Sequence, residues 1–283
     1  MKQWILFGLV GCLLLGTAVV AQESAGEKPG GWNNAWDSDL TLSHTSYDNW
    51  TKGGENTLNL NWYNDMRFVY EHGKSKWRNT NFYTLEYART NKNEIRKTDD
   101  RLEFESVYSF AIKPPVDPYA AFTIKTQLLP GYVYDDSAGV NTVQTSAFFD
   151  PGFLTQSTGF THAIGEILVS RAGFSLKETV APEYAKDILD DSTKSVTVDV
   201  GLEFVSDYSQ NFNEIVDVKS KLEIFSDLHS VKSIDVLWKN YLAVRLRNNL
   251  TLQFQFTLWY DRDIHVKRQI KESTTIGLHY AFF

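Results

Sequence analysis

The sequence is poor in the residues that cross-link small exported domains. Its 283 residues contain a single cysteine, Cys12. Cys12 lies within the first 21 residues, which have the features of a leader peptide, so we expect the mature chain to contain no cysteine. A disulfide framework, a zinc–thiolate site and a cysteine nucleophile are then excluded from the mature protein.

Long apolar runs and basic clusters are also missing. Beyond residue 21 no run approaches the ~20 apolar residues that a transmembrane helix needs. The formal net charge is −7, and removal of Lys2 with the leader makes it −8. Because lysine and arginine are not clustered, the sequence argues against a nucleic-acid partner. If this chain spans a membrane, it must do so as a closed β-barrel, since lipid leaves unpaired backbone groups unsatisfied.

The N-terminus predicts export. Lys2 is followed by an apolar run from Ile5 to Val20, and the small residues before Gln22 predict cleavage after Ala21. A less favoured interpretation is a lipoprotein signal with a lipid on Cys12, because it would leave an apolar stretch after the cut. Residues 22–35 are rich in glycine, proline and charge, and we interpret them as a flexible lead-in.

From residue 36 onwards, apolar residues recur with period two, which is the pattern of β-strands. The clearest example is LTLQFQFTLWY at 250–260. Eleven residues are enough for a tilted strand to cross a bilayer. The pattern predicts strands near 36–47, 56–70, 76–90, 100–112, 118–129, 152–162, 166–177, 194–208, 212–226, 233–247, 250–261 and 273–283.

The connections between these segments alternate strictly between short and mostly longer, polar ones. Outer-membrane barrels have short periplasmic turns and longer extracellular loops in this order. We therefore predict that residues 36–283 form one all-β domain, a transmembrane antiparallel β-barrel of about 12 strands in the outer membrane.

The two faces of the predicted strands differ in chemistry. Even positions are apolar in nearly every strand, and in a membrane barrel they face lipid. A soluble barrel would place them inward, but the length of the strands and the aromatic residues at their ends favour the membrane. The odd positions would then line the lumen with charges of both signs: Arg67, Glu103, Glu105, Lys125, Arg171, Asp199, Glu203, Asp217, Lys219, Lys221 and Arg245, together with Asp65, Lys177, Glu223 and Lys239.

The stretch WTKGGEN at 50–56 is the most distinctive local motif. Gly53 and Gly54 after Trp50 indicate a turn into the second strand, and the spacing is not that of a phosphate-binding loop. With RKTDDRLEFESVYSFAI at 96–112 and FTIKTQLLPGYVY at 122–134, this stretch resembles domain-of-unknown-function family 3078. These are outer-membrane barrel-like proteins of Gram-negative bacteria, and the resemblance implies a barrel without established catalytic residues.

The last strand resembles a C-terminal assembly signal. Its alternating apolar residues end at Tyr280 and Phe282, with Phe283 as an extra aromatic residue. The resemblance implies that the barrel-assembly machinery is a partner during biogenesis and that outer-membrane lipid surrounds the mature chain.

Three functional hypotheses remain open at this level. The first is passive passage or binding of a small polar or amphipathic solute through a charged lumen, which ion pairs could also plug. The second is a structural or assembly-partner barrel that contacts another envelope protein. The third is a surface hydrolase, which would need a serine, a histidine and a carboxylate in hydrogen-bonding reach.

We favour the first and predict no enzyme, cofactor or metal site. His229 and His265 lie near aspartates in predicted outer loops, where solvated loop residues are the simpler interpretation.

Overall fold

A computed structural model describes residues 30–46, 56–90, 95–112, 116–135, 140–189, 193–229, 234–247, 249–261 and 267–282. Residues Gly31–Phe283 form one compact unit. Its strands are β1 Gly31–Thr45, β2 Thr57–His72, β3 Ser75–Thr90, β4 Arg96–Phe110, β5 Val116–Thr126, β6 Gly131–Asp135, β7 Val140–Ser146, β8 Gly152–Ile164, β9 Leu168–Val180, β10 Val196–Asn211, β11 Val216–Asp227, β12 Ile234–Arg247, β13 Leu250–Tyr260 and β14 Gln269–Ala281.

Twelve of these strands close into an antiparallel barrel. The order around the wall is β1-β14-β13-β12-β11-β10-β9-β8-β5-β4-β3-β2, and strands that neighbour in sequence also neighbour in space except where β6 and β7 intervene. The predicted fold class is therefore confirmed. A search for helices found none among the described residues that is long and apolar enough to span a membrane.

Two stretches depart from the predicted element boundaries. β1 begins at Gly31, inside the predicted lead-in, because its ladder with β2 continues down to the pair of Gly31 with Glu71. The predicted outer loop at 131–150 contains a separate hairpin, in which β6 pairs with β7. A short 3-10 helix, Lys186–Ile188, lies in the connection between β9 and β10.

The connections divide the barrel into two ends. At the short-turn end, residues 73–74, 111–115, 165–167, 212–215 and 248–249 join neighbouring strands. Gly73 has a φ of +57° in the two-residue turn between β2 and β3, a conformation that glycine adopts without strain. At the long-loop end, the shortest connection is residues 91–95 and the longest is residues 127–151. The longest one contains the hairpin of β6 and β7.

Large apolar side chains cover the outside of the wall. Leu42 and Phe174 are each 65% exposed, and Phe160 is 62% exposed. These outward positions are even-numbered, as predicted, and the inward positions carry the charges. A wall that is apolar outside and charged inside is the arrangement of a barrel surrounded by lipid.

β3 is the exception to the even-numbered rule. The two-residue turn pairs Tyr70 of β2 with Trp77 of β3, so odd residues of β3 share the outer face with even residues of β2. The pairing of Trp77 with Tyr108 restores the even pattern in β4.

Aromatic rings gather at the short-turn rim. Trp36 stacks on Phe282 with ring centroids 4.0 Å apart, and Tyr280 packs edge-on against Phe282 at 4.7 Å. The backbone N–H of Phe282 donates to the carbonyl of Trp36 at 2.8 Å. The last strand is therefore joined to the first at this rim, whereas Phe283 lies outside the described residues.

Two aspartates hold the connections at the long-loop end. Asp100 accepts hydrogen bonds from the N–H groups of Leu128 and Leu129, and Asp150 accepts from those of Glu183, Tyr184 and Ala185. The start of the 127–151 connection is therefore held against β4.

Candidate functional site: the charged lumen

The inward side of β11 carries three charged residues in succession, Lys219, Lys221 and Glu223. Lys219 reaches Asp65 on β2 at 2.9 Å, and Lys221 reaches Glu105 on β4 at 2.9 Å. Both partner strands lie five positions away in the ring of twelve. These ion pairs therefore cross the lumen instead of running along the wall.

The middle of the lumen is the least exposed part of this network. Arg171 on β9 is 4% exposed, and its Nη2 atom donates to Glu105 at 2.6 Å and to Glu203 at 3.2 Å. Glu105 accepts from both Arg171 and Lys221 and is itself buried. A buried carboxylate of this kind requires charged partners, since an isolated charge away from water is costly.

Two further pairs cross the lumen, one of them between strands on fully opposite sides of the ring. Lys239 on β12 donates to Glu103 on β4 at 2.5 Å, and these strands are six positions apart. Lys125 on β5 pairs with Glu223 on β11. Together with the pairs formed by Lys219, Lys221 and Arg171, these contacts form what we call the lumen network.

The lumen widens into a polar pocket in its long-loop half. Tyr63, Asp99, Arg101, Gln255, Thr257, Lys271 and Ser273 line a small cavity of about 30 Å³ that is partly open to solvent. The Lys271 ammonium contacts Asp99 at 2.6 Å and Glu86 at 3.0 Å. Its side chain is nevertheless 47% exposed, so the lysine remains accessible to a ligand.

The short-turn half of the lumen contains a histidine that is hydrogen-bonded to one carboxylate and lies close to a second. His279 on β14 places Nδ1 2.8 Å from Asp39 and Nε2 3.6 Å from Asp37, both on β1. Asp37 also lies 3.7 Å from Lys219. His279 is thus tied into an ion-pair cluster, which is not the arrangement of a serine hydrolase.

The structure brings most of the predicted lumen charges together. Glu103, Glu105, Lys125, Arg171, Glu203, Lys219 and Lys221 take part in the lumen network. Arg67, Asp199 and Asp217 occupy inward positions of β2, β10 and β11, and Arg245 donates to the carbonyl of Glu214 at the short-turn end. The loop residues Trp50, Gly53 and Gly54, and also His265, lie outside the described residues.

Several charged lumen residues were not found by the sequence pattern. Arg78 on β3 pairs with Asp207 at 3.3 Å, and Glu86 on β3 binds Lys271. Both are even-numbered and inward-facing because the turn after β2 reverses the parity of β3. The sequence HGKS at 72–75 could have predicted this reversal. A two-residue hairpin turn pairs an even-numbered residue with an odd-numbered one, so the two strands have opposite parity on the same face.

His229 was a candidate for acid–base chemistry in an outer loop. Its Nδ1 atom lies 3.4 Å from Asp227, and its side chain is 81% exposed. A solvated pair at a strand end is poorly placed to shift a proton within a substrate pocket.

The apolar wall and charged interior define a transmembrane β-barrel. The family described as "Protein of unknown function (DUF3078)" matches residues 42–132, about a third of the chain, and the predicted resemblance to this family is confirmed. No curated protein is detectably similar in sequence.

Two solved structures share the barrel architecture. The translocator domain of autotransporter NalP from Neisseria meningitidis is 9% identical, with 90% of each chain covered and a TM-score of 0.37. The COG4313 outer membrane channel from Pseudomonas putida F1 is 9% identical, with 93% of this chain and 98% of that chain covered and a TM-score of 0.36. These values are too low for either protein's activity to be transferred to this chain.

Proposed function

We propose that this protein is an outer-membrane barrel whose charged lumen takes up small polar or amphipathic solutes, and that the lumen network closes the path at rest. The observation that carries the proposal is the set of ion pairs between opposite walls, in particular Lys239 with Glu103. Charges line the interior on both sides of this constriction, and a pocket lies on its long-loop side.

The chemistry of the constriction supports a gate better than a structural filling. Buried ion pairs contribute little net stability, and well-packed apolar residues often replace them without loss. Twelve strands enclose more space than the side-chain-filled barrels of eight and less than the open porins of sixteen. Charged groups of both signs in such a space can separate and pair with a passing solute.

The decisive experiment removes one crossing pair by neutralising both of its members. Lys239→Met combined with Glu103→Gln should raise single-channel conductance several-fold over the wild-type barrel in planar bilayers, and speed the swelling of vesicles in small polar solutes. Lys76→Met combined with Glu71→Gln is the matched control, because that pair lies at the short-turn rim, where both side chains are about half exposed. The control should leave conductance unchanged.

Folding must be verified in each variant by the shift in gel mobility before and after boiling. If both the wild type and the Lys239/Glu103 variant are folded and impermeable, the lumen is not a solute path. A lowered unfolding temperature without any conductance would instead support the alternative, a barrel that the ion pairs merely brace.

A further inference from the structure

The wall of the barrel is incompletely paired at one seam. β1 and β14 pair over residues 37–40 and 278–281. In contrast, β1 pairs with β2 along its whole length, and β14 pairs with β13 from Gln269 to Leu278. Within these fully described strands, residues 41–45 and 269–277 therefore have a ladder partner on one side only. The unpaired stretches diverge towards the long-loop end.

Exposure shows that the diverging strands leave a gap. Residues 42–45 of β1 and 269–272 of β14 are exposed on both faces of the wall. On β13, by comparison, residues 255–259 at the same height as 269–273 are half-buried. If the wall were closed here, β14 would cover the inward-facing Ser43 of β1, and β1 would cover the inward-facing Lys271 of β14.

The gap opens directly onto the polar pocket. Lys271 and Ser273 belong to the unpaired part of β14 and also line the pocket, together with Tyr63 of β2. The Lys271 ammonium contacts Glu86 and Asp99 on β3 and β4, so its side chain extends behind the gap. The pocket therefore lies on the lumen side of the gap.

The two sides of the gap differ in polarity. Outside, Leu42 is 65% exposed, Ile276 is 55% exposed and Ile270 is 50% exposed. Inside, the two cations that line the pocket are each paired with carboxylates, Lys271 with Glu86 and Asp99 and Arg101 with Glu103. Gln255, Thr257 and Ser273 add neutral hydrogen-bonding groups.

The gap also leaves strand edges that lipid tails alone cannot satisfy. Unpaired backbone N–H and C=O groups are costly in hydrocarbon. A molecule that fills this opening needs a polar end for the edges and the pocket, and an apolar end for the flanking leucine and isoleucines. A purely polar solute or a hydrocarbon would meet only one of these requirements.

We propose that the gap between β1 and β14 is a lateral entrance for single-chain amphiphiles with an acidic head, such as a carboxylate. The head binds Lys271 and Arg101 in the pocket in competition with their present carboxylate partners, while the chain remains outside against Leu42 and Ile276. This inference rests on the proposed function, in which the lumen takes up solutes, and it specifies the class of solute and its route.

The test uses the folded barrel in phosphatidylcholine vesicles and a long-chain fatty acid with a photoreactive group in its chain. Photolabelling should concentrate on peptides that contain residues 41–45 and 269–277. A disulfide between Ser43→Cys and Thr275→Cys, which would face each other if the ladder continued, should abolish this labelling until a reductant is added. The Ser43→Cys and Asn59→Cys pair is the matched control, because it links β1 to β2, where the ladder is already formed.

A second variant keeps the test decisive if the seam disulfide does not form. Lys271→Glu should raise the fatty acid concentration that half-saturates labelling about tenfold, which corresponds to about 1.4 kcal/mol. The matched control is Lys76→Glu, the same charge change at the opposite end of the barrel, and it should have no effect. A photoreactive probe with the same chain and a quaternary ammonium head should label the gap weakly.

Labelling that is spread evenly around the barrel, or that is unaffected by Lys271→Glu, would overturn the lateral entrance. Protection of the gap by another segment of this chain, or by a strand from a second copy, would give that result. Labelling at the gap without conductance in the Lys239/Glu103 variant would contradict only the proposed passage through the lumen. Conductance without labelling at the gap would contradict only the proposed lateral entrance.

Discussion

The two halves of the β1–β14 seam differ in how they meet lipid and water. In the short-turn half, the strands are paired, Trp36 stacks on Phe282 and His279 binds Asp39. In the long-loop half, the strands separate, and Lys271 is half exposed beside the pocket. The same two strands therefore form a sealed wall at one end and an opening at the other.

The comparison teaches that barrel closure is not uniform along a strand pair. Every ladder position that is lost leaves backbone groups that need another partner. The paired half seals the lumen with contacts within the chain. The unpaired half leaves those contacts to a ligand.

The closed part of the lumen should be the most sensitive to substitution. Arg171→Leu would leave Glu105 and Glu203 without their shared guanidinium in a buried site, which should cost about 3–5 kcal/mol. The measurement is the urea concentration at which the folded gel band disappears. Lys76→Met removes a half-exposed rim pair and should cost less than about 1 kcal/mol. Equal losses in the two variants would contradict a dry central network.

The anchored connections at the long-loop end should respond locally. Asp150 is 2% exposed and accepts three backbone N–H groups, so Asp150→Ala should destabilise residues 183–185 by on the order of 3 kcal/mol. Hydrogen exchange at these amides reads out the effect. Asp117→Ala at the short-turn end removes one exposed bond to the N–H of Ile112 and should have a smaller effect. Unchanged exchange after Asp150→Ala would show that the connection is held by other contacts.

The boundary between the paired and unpaired parts of the seam lies at Gly277. A Cβ atom there would meet Thr41 Oγ1 and come within 3.0 Å of the Leu40 carbonyl oxygen. Gly277→Ala should therefore weaken the paired half of the seam by about 1–3 kcal/mol and speed hydrogen exchange at residues 38–40. Thr275→Ala, on the unpaired stretch, should leave that exchange unchanged. Equal exchange in the two variants would place the boundary elsewhere.

The smallest expected effect concerns charge selection in the short-turn half. Lys219 lies beside Asp37 and Asp65 and is 35% exposed, so water screens its charge in part. Lys219→Glu should make the pore modestly more selective for cations, which is measured as a shift of the reversal potential in a salt gradient. The measurement needs a conducting background, the Lys239→Met and Glu103→Gln variant. A shift towards anions would contradict the lumen as the conducting path.

Much of the fold could be read from the period-two pattern. The strand predicted at 250–261 is β13, Leu250–Tyr260, and the weakly alternating segment at 152–162 is β8. The hairpin of β6 and β7 was missed because its strands have only five and seven residues and lie between two longer strands. Arg78 and Glu86 were missed because one two-residue turn reverses the parity of a whole strand.

The partners within the lumen could not be predicted in the same way. Lys239 and Glu103 are 136 residues apart in the chain, and no local pattern connects them. Period two assigns each residue to a face, because successive side chains of a strand point to opposite sides. Which charges meet across the barrel depends on the order, tilt and register of all twelve strands.

The sequence by itself determined a cysteine-poor antiparallel barrel with an apolar outside and charges of both signs inside, because strand periodicity and loop length are local properties. Only the folded ring shows which of those charges pair across the lumen and where the ladder between the first and last strands ends. Ring closure brings residues from opposite ends of the chain together, and the β1–β14 register ends at Leu40 and Leu278. The sealed lumen and its lateral opening are therefore properties of the closed ring of strands.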